Sequence, residues 1–221
     1  MAFVAIVSPV TLSKKLFKRD GLLLFATGIL LLIFFYDLTL STYEGIILVG
    51  ILLFYVYKLI TGKEEIDEEE IPEGEFTLWD IPKFIAGVAL IIISADYLVG
   101  AATAIAHAVG ISDWLIGVTI VAAGTSMPEL ATSVVAVAKK KHAISAGNLI
   151  GSDLFNMLGV LGTASIIKPL SIAQAEYTSL ILMAAMLLAL LIMMRTGWKI
   201  SRTEGIILFL FALLRWAFDF L

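Results

Sequence analysis

The chain has 221 residues, 60% of them apolar, with a mean hydropathy of +1.01 and a formal net charge of −4. That composition excludes an ordinary soluble domain and points to an integral membrane protein in a lipid bilayer. Cysteine is absent, so a disulfide framework, a thiol nucleophile and a thiolate metal site are all excluded. The charges fall in short connecting segments rather than in a basic face, so no nucleic-acid partner is expected.

Seven apolar runs of about membrane-spanning length predict transmembrane helices. In chain order they cover residues 20–36, 44–60, 83–108, 114–138, 143–167, 176–195 and 203–220. Only helices and closed barrels satisfy their own backbone in lipid, so the expected fold class is all-α, a polytopic bundle of about seven helices. The first apolar stretch lacks a small-residue cleavage site, and no cleavable signal peptide is expected. The second and third segments are separated by a linker, residues 63–83, with eight acids between Glu64 and Glu75 and breaks at Pro72 and Gly74. It reads as a solvated connection, with an acidic cation-collecting surface as the alternative.

Basic residues set the expected orientation. Lys14, Lys15, Lys18 and Arg19 precede the first segment, and Lys58, Lys63 and Lys83 flank the linker. Lys139 to Lys141 join the fourth and fifth segments, and Arg195, Lys199 and Arg202 join the sixth and seventh. Seven spans put all four groups on one side, leaving Lys168 and Arg215 opposite. By the positive-inside rule the basic side, with the acidic linker, is cytoplasmic and the C-terminus lies outside. Trp79, Trp114, Trp198 and Trp216 are expected as interface anchors, and His107 and His142 as interfacial residues.

The sequence also repeats. "AIVSPVTL" from Ala5 resembles "SIIKPLSI" from Ser165, and "EGIIL" occurs at Glu44 and again at Glu204, both pairs offset by 160 residues. Five predicted helices separate equivalent points. An odd number requires the two copies to have opposite orientation, as in secondary transporters built from inverted repeats with a site near the midplane. The same shift places the counterpart of Glu129 before Met1. The chain therefore reads as the last two helices of a first repeat (residues 1–62), the linker (63–83) and a complete second repeat (84–221), with about 80 residues of the first repeat expected upstream.

The chemistry is concentrated in the fourth and fifth segments. "AAGTSMPEL" places Thr125 and Glu129 four apart on one helix face, with Ser126 and Thr132 flanking. Pro128 has no N–H and clashes with the carbonyl four residues back, so the helix should open near Ala122 to Gly124. A carboxylate at mid-membrane costs about 2.5–3.5 kcal/mol on insertion scales and marks a functional position. Carbonyls, hydroxyls and one carboxylate are hard oxygen ligands suited to Ca2+ or Na+ and not to zinc or copper. On the fifth segment Asn148, Ser152 and Asn156 form a polar stripe, and Gly147 and Gly151 form a GxxxG pair predicted to admit the neighbouring helix closely.

"GTSMPELATS" followed by "GNLIGSDLFNMLGVLG" resembles an alpha-repeat of the cation/Ca2+ exchanger superfamily, nearest its Na+/Ca2+ branch. The resemblance implies a ten-helix inverted-repeat antiporter that exchanges Na+ for Ca2+ as transported ions, with no organic cofactor and no enzymatic activity. It implies that Glu129 is one of two Ca2+-holding glutamates, and that Thr125, Ser126, Ser152 and Asn156 are ligands. Ala122 matches a position whose carbonyl contacts Na+. Asp153 stands where the family has Asn, and is expected to face away from Ser152. Asn156 stands where some second repeats have an acid, which weakens a case for K+ co-transport. The first-repeat glutamate is absent, so this chain would supply half of the ion site. Its partner would be the first-repeat helices or a second copy of the chain. A H+/Ca2+ exchanger, a cation channel and a half-protein inactive alone remain as rivals. Asp96 is expected either as a paired packing residue or on the ion path. The long third segment, with Gly87, Ala95, Gly100 and Ala104, is the expected sliding element.

Overall fold

The computed structural model describes residues 1–62, 77–110, 120 and 122–219. Most of the acidic linker, residues 114–119 and 121 of the fourth predicted segment with Trp114, and the side chain of Trp216 lie outside the described residues.

The protein is a helical bundle. In chain order it runs α1 (Ala2–Val7), β1 (Val10–Thr11), α2 (Lys14–Asp37), β2 (Thr39–Leu40), α3 (Thr42–Thr61) and α4 (Asp80–Ala108). It continues with α5 (Ala122–Thr125), α6 (Met127–Ala138), α7 (His142–Ile167), β3 (Leu170–Ser171), α8 (Gln174–Arg195), β4 (Lys199–Ile200) and α9 (Arg202–Asp219). Over the described residues every predicted segment corresponds to helix. Two of the long helices widen to π geometry, α2 over Phe17–Gly21 and α7 over Phe155–Val160.

Among the described residues five helices, α2, α3, α4, α7 and α8, are long and apolar enough to cross a membrane. The other two of the seven predicted spans differ for identifiable reasons. The fourth is described only over α5 and α6, which are 4 and 12 residues long. The seventh, α9, carries Arg202, Glu204, Arg215 and Asp219 in 18 residues.

The 160-residue repeat appears as reciprocal contacts. β1 pairs antiparallel with β4, Val10 opposite Ile200, and β2 pairs antiparallel with β3, Leu40 opposite Leu170. Moving either pairing by 160 positions gives the other. Leu38 and Trp198 are likewise equivalent. Both take left-handed backbone, φ 64° and 53°, and their carbonyls accept from Ile172 N–H at 2.9 Å and Leu12 N–H at 2.8 Å. Each repeat thus completes the turns of the other, the geometry of a pseudo-twofold axis.

The recurring "EGIIL" has two physical reasons. Glu44 and Ser41 form a capping box at the start of α3, with Ser41 N–H donating to Glu44 Oε2 at 2.8 Å. At α9, Ser201 N–H donates to Glu204 Oε2 at 2.7 Å and Glu204 N–H to Ser201 Oγ at 3.3 Å. The following glycines let helices cross closely. A Cβ on Gly45 would stand 2.6 Å from the Gly162 carbonyl oxygen, and one on Gly205 would stand 2.9 Å from the Ala2 carbonyl oxygen. Lipid supplies no hydrophobic drive between helices, so such close approach carries much of the packing.

The expected GxxxG contact is corrected here. A Cβ on Gly147 or Gly151 would meet nothing within 4 Å among the described residues, so these glycines do not seat α6. Local spacing identifies small residues but not the side on which a neighbour lies. The core instead gathers Leu24 and Leu31 of α2, Leu48 of α3, Ile150, Leu154 and Leu158 of α7 and Met194 of α8. Val4, Val10, Leu40 and Ile200 at the reciprocal joints are fully buried.

Basic residues from two of the four groups meet at Trp198 and Val7. Lys14 and Arg195 both lie over the Trp198 ring, at 5.7 and 4.8 Å from its centroid, with Phe17 edge-on at 5.6 Å. The Arg202 guanidinium donates to the Val7 carbonyl at 3.2 Å. Trp198 is therefore held in a cation–aromatic cluster, while Trp79, at the start of α4, is exposed.

Candidate cation site

The helix containing Glu129 is broken at Ser126. Ser126 N–H donates to Ala123 O at 3.1 Å, a tight i to i−3 bond, and α6 begins at Met127. Pro128, next in line, has no N–H to offer the Gly124 carbonyl. The break lies two residues beyond the Ala122–Gly124 opening read from the sequence, because proline is tolerated in the first turn of a new helix.

Glu129 stands in the first turn of α6, facing α7. Its Oε1 accepts from Ser152 Oγ at 3.3 Å. Its Oε2 is buried and has no hydrogen-bond partner among the described residues. A buried carboxylate oxygen left this way is costly unless a cation or donor meets it. The side chain opens onto a cavity of about 300 Å³ lined by Thr125, Pro128, Glu129 and Thr132, by Asn148 of α7, and by Val88, Ile91 and Ile92 of α4. Thr125 and Glu129 both line it, although the break at Ser126 puts them on separate helices.

Asn148 fastens the two polar helices together. Its side-chain amide lies 3.1 Å from Glu129 O, 3.0 Å from Thr132 Oγ1 and 2.9 Å from Ser133 Oγ. Thr132 Oγ1 is also 3.0 Å from both Pro128 O and Glu129 O. Asn148 belongs to the polar stripe in sequence, but its donation to a backbone carbonyl of the neighbouring helix was not legible there. The apolar wall from α4 was missed as well, since Val88, Ile91 and Ile92 look like lipid-facing residues.

The remaining predicted ligands are dispersed. Ser126 occupies the turn and is exposed. Ala122 contributes backbone at the start of α5, its side chain lying outside the described residues. Asn156 sits in the π segment of α7, a turn beyond Ser152, and is exposed. Asp153 and Asp96 are exposed, and neither lines the cavity. His107 and His142 lie at helix ends, away from it. Among the described residues no three His, Asp or Glu side chains gather as a metal cluster. A cation at Glu129 therefore has to be completed by hydroxyl, amide and carbonyl oxygens or by residues beyond these.

Reciprocal helical repeats with a carboxylate at a cleft between α4, α6 and α7 fit a multi-pass membrane transporter of cations. Residues 81–218 match the family model described as sodium/calcium exchanger protein, and the chain belongs to this family. It is 36% identical to CaxA of Alkalimonas amylolytica over 92% of this chain and 68% of CaxA. It is 40% identical to sodium/calcium exchanger MaX1 of Methanosarcina acetivorans over 63% of this chain and 40% of MaX1. Among solved structures, the sodium-calcium exchanger NCX_Mj soaked with Na+ and Sr2+ superposes with a TM-score of 0.79 at 28% identity, covering 98% of this chain and 70% of that one. The fold expected from the sequence is thus confirmed. The chain spans only part of each of these relatives.

Proposed function

We propose that the chain supplies one half of the ion site of an antiporter that exchanges Na+ for Ca2+, with Glu129 as its central ligand. The observation that carries this is the buried, partnerless Oε2 of Glu129 at the wall of a cavity that also presents Thr125, Thr132 and Asn148. Ca2+ takes six to eight oxygens, so the remaining ligands come from the other predicted positions, Ala122, Ser126, Ser152 and Asn156, and from a first repeat. Domain boundaries at 1–62, 63–83 and 84–221 follow from the same reading, and the family match beginning at residue 81 supports the last of them.

Na+ and Ca2+ compete for the same oxygens, so loading one ion displaces the other. Helix α4 is suited to gate this exchange. Only Ala106 along it is buried, and it packs chiefly on α5 and α6. Val88, Ile91 and Ile92 form one wall of the cavity, so a shift of α4 along its axis would change access to Glu129. Its glycines do not make the contact: a Cβ on Gly87 or Gly100 would meet nothing within 4 Å. The convergence of Lys14, Arg195 and Arg202 at one end supports a cytoplasmic placement of that end, with the C-terminus outside.

The test is uptake of radioactive Ca2+ into Na+-loaded proteoliposomes. It compares this chain, a form extended ahead of Met1 by a first repeat, and Glu129→Gln in each. Na+-dependent uptake that the substitution abolishes is expected. Uptake indifferent to Na+ and to Glu129, or driven by a proton gradient alone, would reject the proposal.

A further inference from the structure

A second cavity, about 360 Å³, lies between the first turns of α2 and the C-terminal half of α3. Its mouth carries Lys15, Arg19 and Lys58, and its walls carry Leu23, Ile51 and Phe54. The Arg19 guanidinium is held by Asp20 through bonds of 2.6 and 2.8 Å, so that pair is locally neutral. Lys15 and Lys58 are exposed at the mouth with no acidic partner among the described residues, and the Lys58 ammonium lies 5.6 Å from the centroid of the Phe54 ring that lines the slot. Asp20 is buried and accepts from the Tyr55 hydroxyl at 3.0 Å, which fixes the spacing of the two helices and the width of the slot.

The cavity lies where the start of α2, with Lys14, Lys15, Lys18 and Arg19, meets the C-terminal half of α3, with Lys58. Cations at a mouth with an aliphatic and aromatic interior complement a phosphate attached to a hydrocarbon chain. They do not complement a neutral lipid or a free, fully hydrated anion. We propose that this cavity is a binding site for one anionic phospholipid, its headgroup phosphate between Lys15 and Lys58 and an acyl chain along Leu23, Ile51 and Phe54.

Native mass spectrometry of the purified protein in detergent tests this, with phosphatidylglycerol and phosphatidylcholine of identical chains. One phosphatidylglycerol should be retained under conditions that strip phosphatidylcholine. Combined Lys15→Gln and Lys58→Gln should weaken retention at least about tenfold, Lys15→Arg with Lys58→Arg should preserve it, and Lys139→Gln with Lys140→Gln should leave it unchanged. Equal retention of the two lipids overturns the proposal. So does undiminished retention in the glutamine variant, or equal loss in the Lys139 and Lys140 control. Displacement by glycerol 3-phosphate at matched concentration identifies a soluble-anion site instead and equally overturns it.

Discussion

Gly45 lies so near the end of α7 that a Cβ on it would fall 2.6 Å from the carbonyl oxygen of Gly162. Backbone cannot yield as a flexible side chain does. Gly45→Ala is therefore expected to destabilise the protein by about 1–3 kcal/mol through overpacking. Gly205→Ala should behave alike, because its Cβ would press on Ala2 and Ala5 at 2.9 Å. Gly50, on the same helix as Gly45 but with nothing within 4 Å, is the control, and Gly50→Ala should be neutral or slightly stabilising. Thermal denaturation in detergent distinguishes the three. Equal melting temperatures for Gly45→Ala and Gly50→Ala would show that the helices part without cost.

At the cation site, Glu129→Gln retains shape and removes the charge. Ca2+ affinity measured by calorimetry should fall by more than about 100-fold, with little change in melting temperature without Ca2+. Ser152→Ala removes the donor to Oε1 together with one proposed ligand oxygen and should lower affinity by about 10–100-fold, less than the loss of the charge. A Ser152→Ala loss as large as that of Glu129→Gln would make Ser152 a principal ligand instead.

Asn148 acts on structure before it acts on ions. Asn148→Ala strips the donor from Ser133, which is 1% exposed, and from the Glu129 carbonyl. The expected cost is about 1–3 kcal/mol. Asn148→Asp should cost more, because an ionised carboxylate would face a carbonyl oxygen with no hydrogen to offer. Thermal shifts of the pair check the order, and an aspartate variant as stable as wild type would contradict the clamp.

The Asp20 contacts predict a graded series. Tyr55→Phe removes one donor to a carboxylate 2% exposed and should cost about 1–3 kcal/mol. Arg19→Gln leaves that carboxylate without its ion-pair partner and should cost about 3–5 kcal/mol. The order of the two melting temperatures is the measurement. A reversed order would place the anchoring contact at Tyr55.

Much of this architecture was legible because lipid restricts the choices. Apolar runs had to be helices, and the common offset of Pro9 with Pro169 and of Glu44 with Glu204 revealed the repeat before any contact was known. What escaped depends on which side of a helix is occupied. Gly147 and Gly151 matched a packing motif yet face open space, whereas Gly45, in no such motif, makes the close crossing. The same holds at the site. Thr125 and Glu129 were placed together by helical periodicity alone, but Asn148 reaching the Glu129 carbonyl, and α4 closing the cavity with Val88, depend on the positions of three separate helices.

The pairing of Val10 with Ile200 constrains how the protein can be made. The segment around Val10 leaves the ribosome well before its partner strand around Ile200. Early helices can enter the bilayer one by one, but the turn at Leu12 must wait with an unanswered N–H until Trp198 has been synthesised. Leu40 waits a shorter time for Leu170. The bundle therefore closes in order, the joint at Leu40 before the joint at Val10, and chains stalled between these points should be inserted yet unlatched and open to membrane proteases.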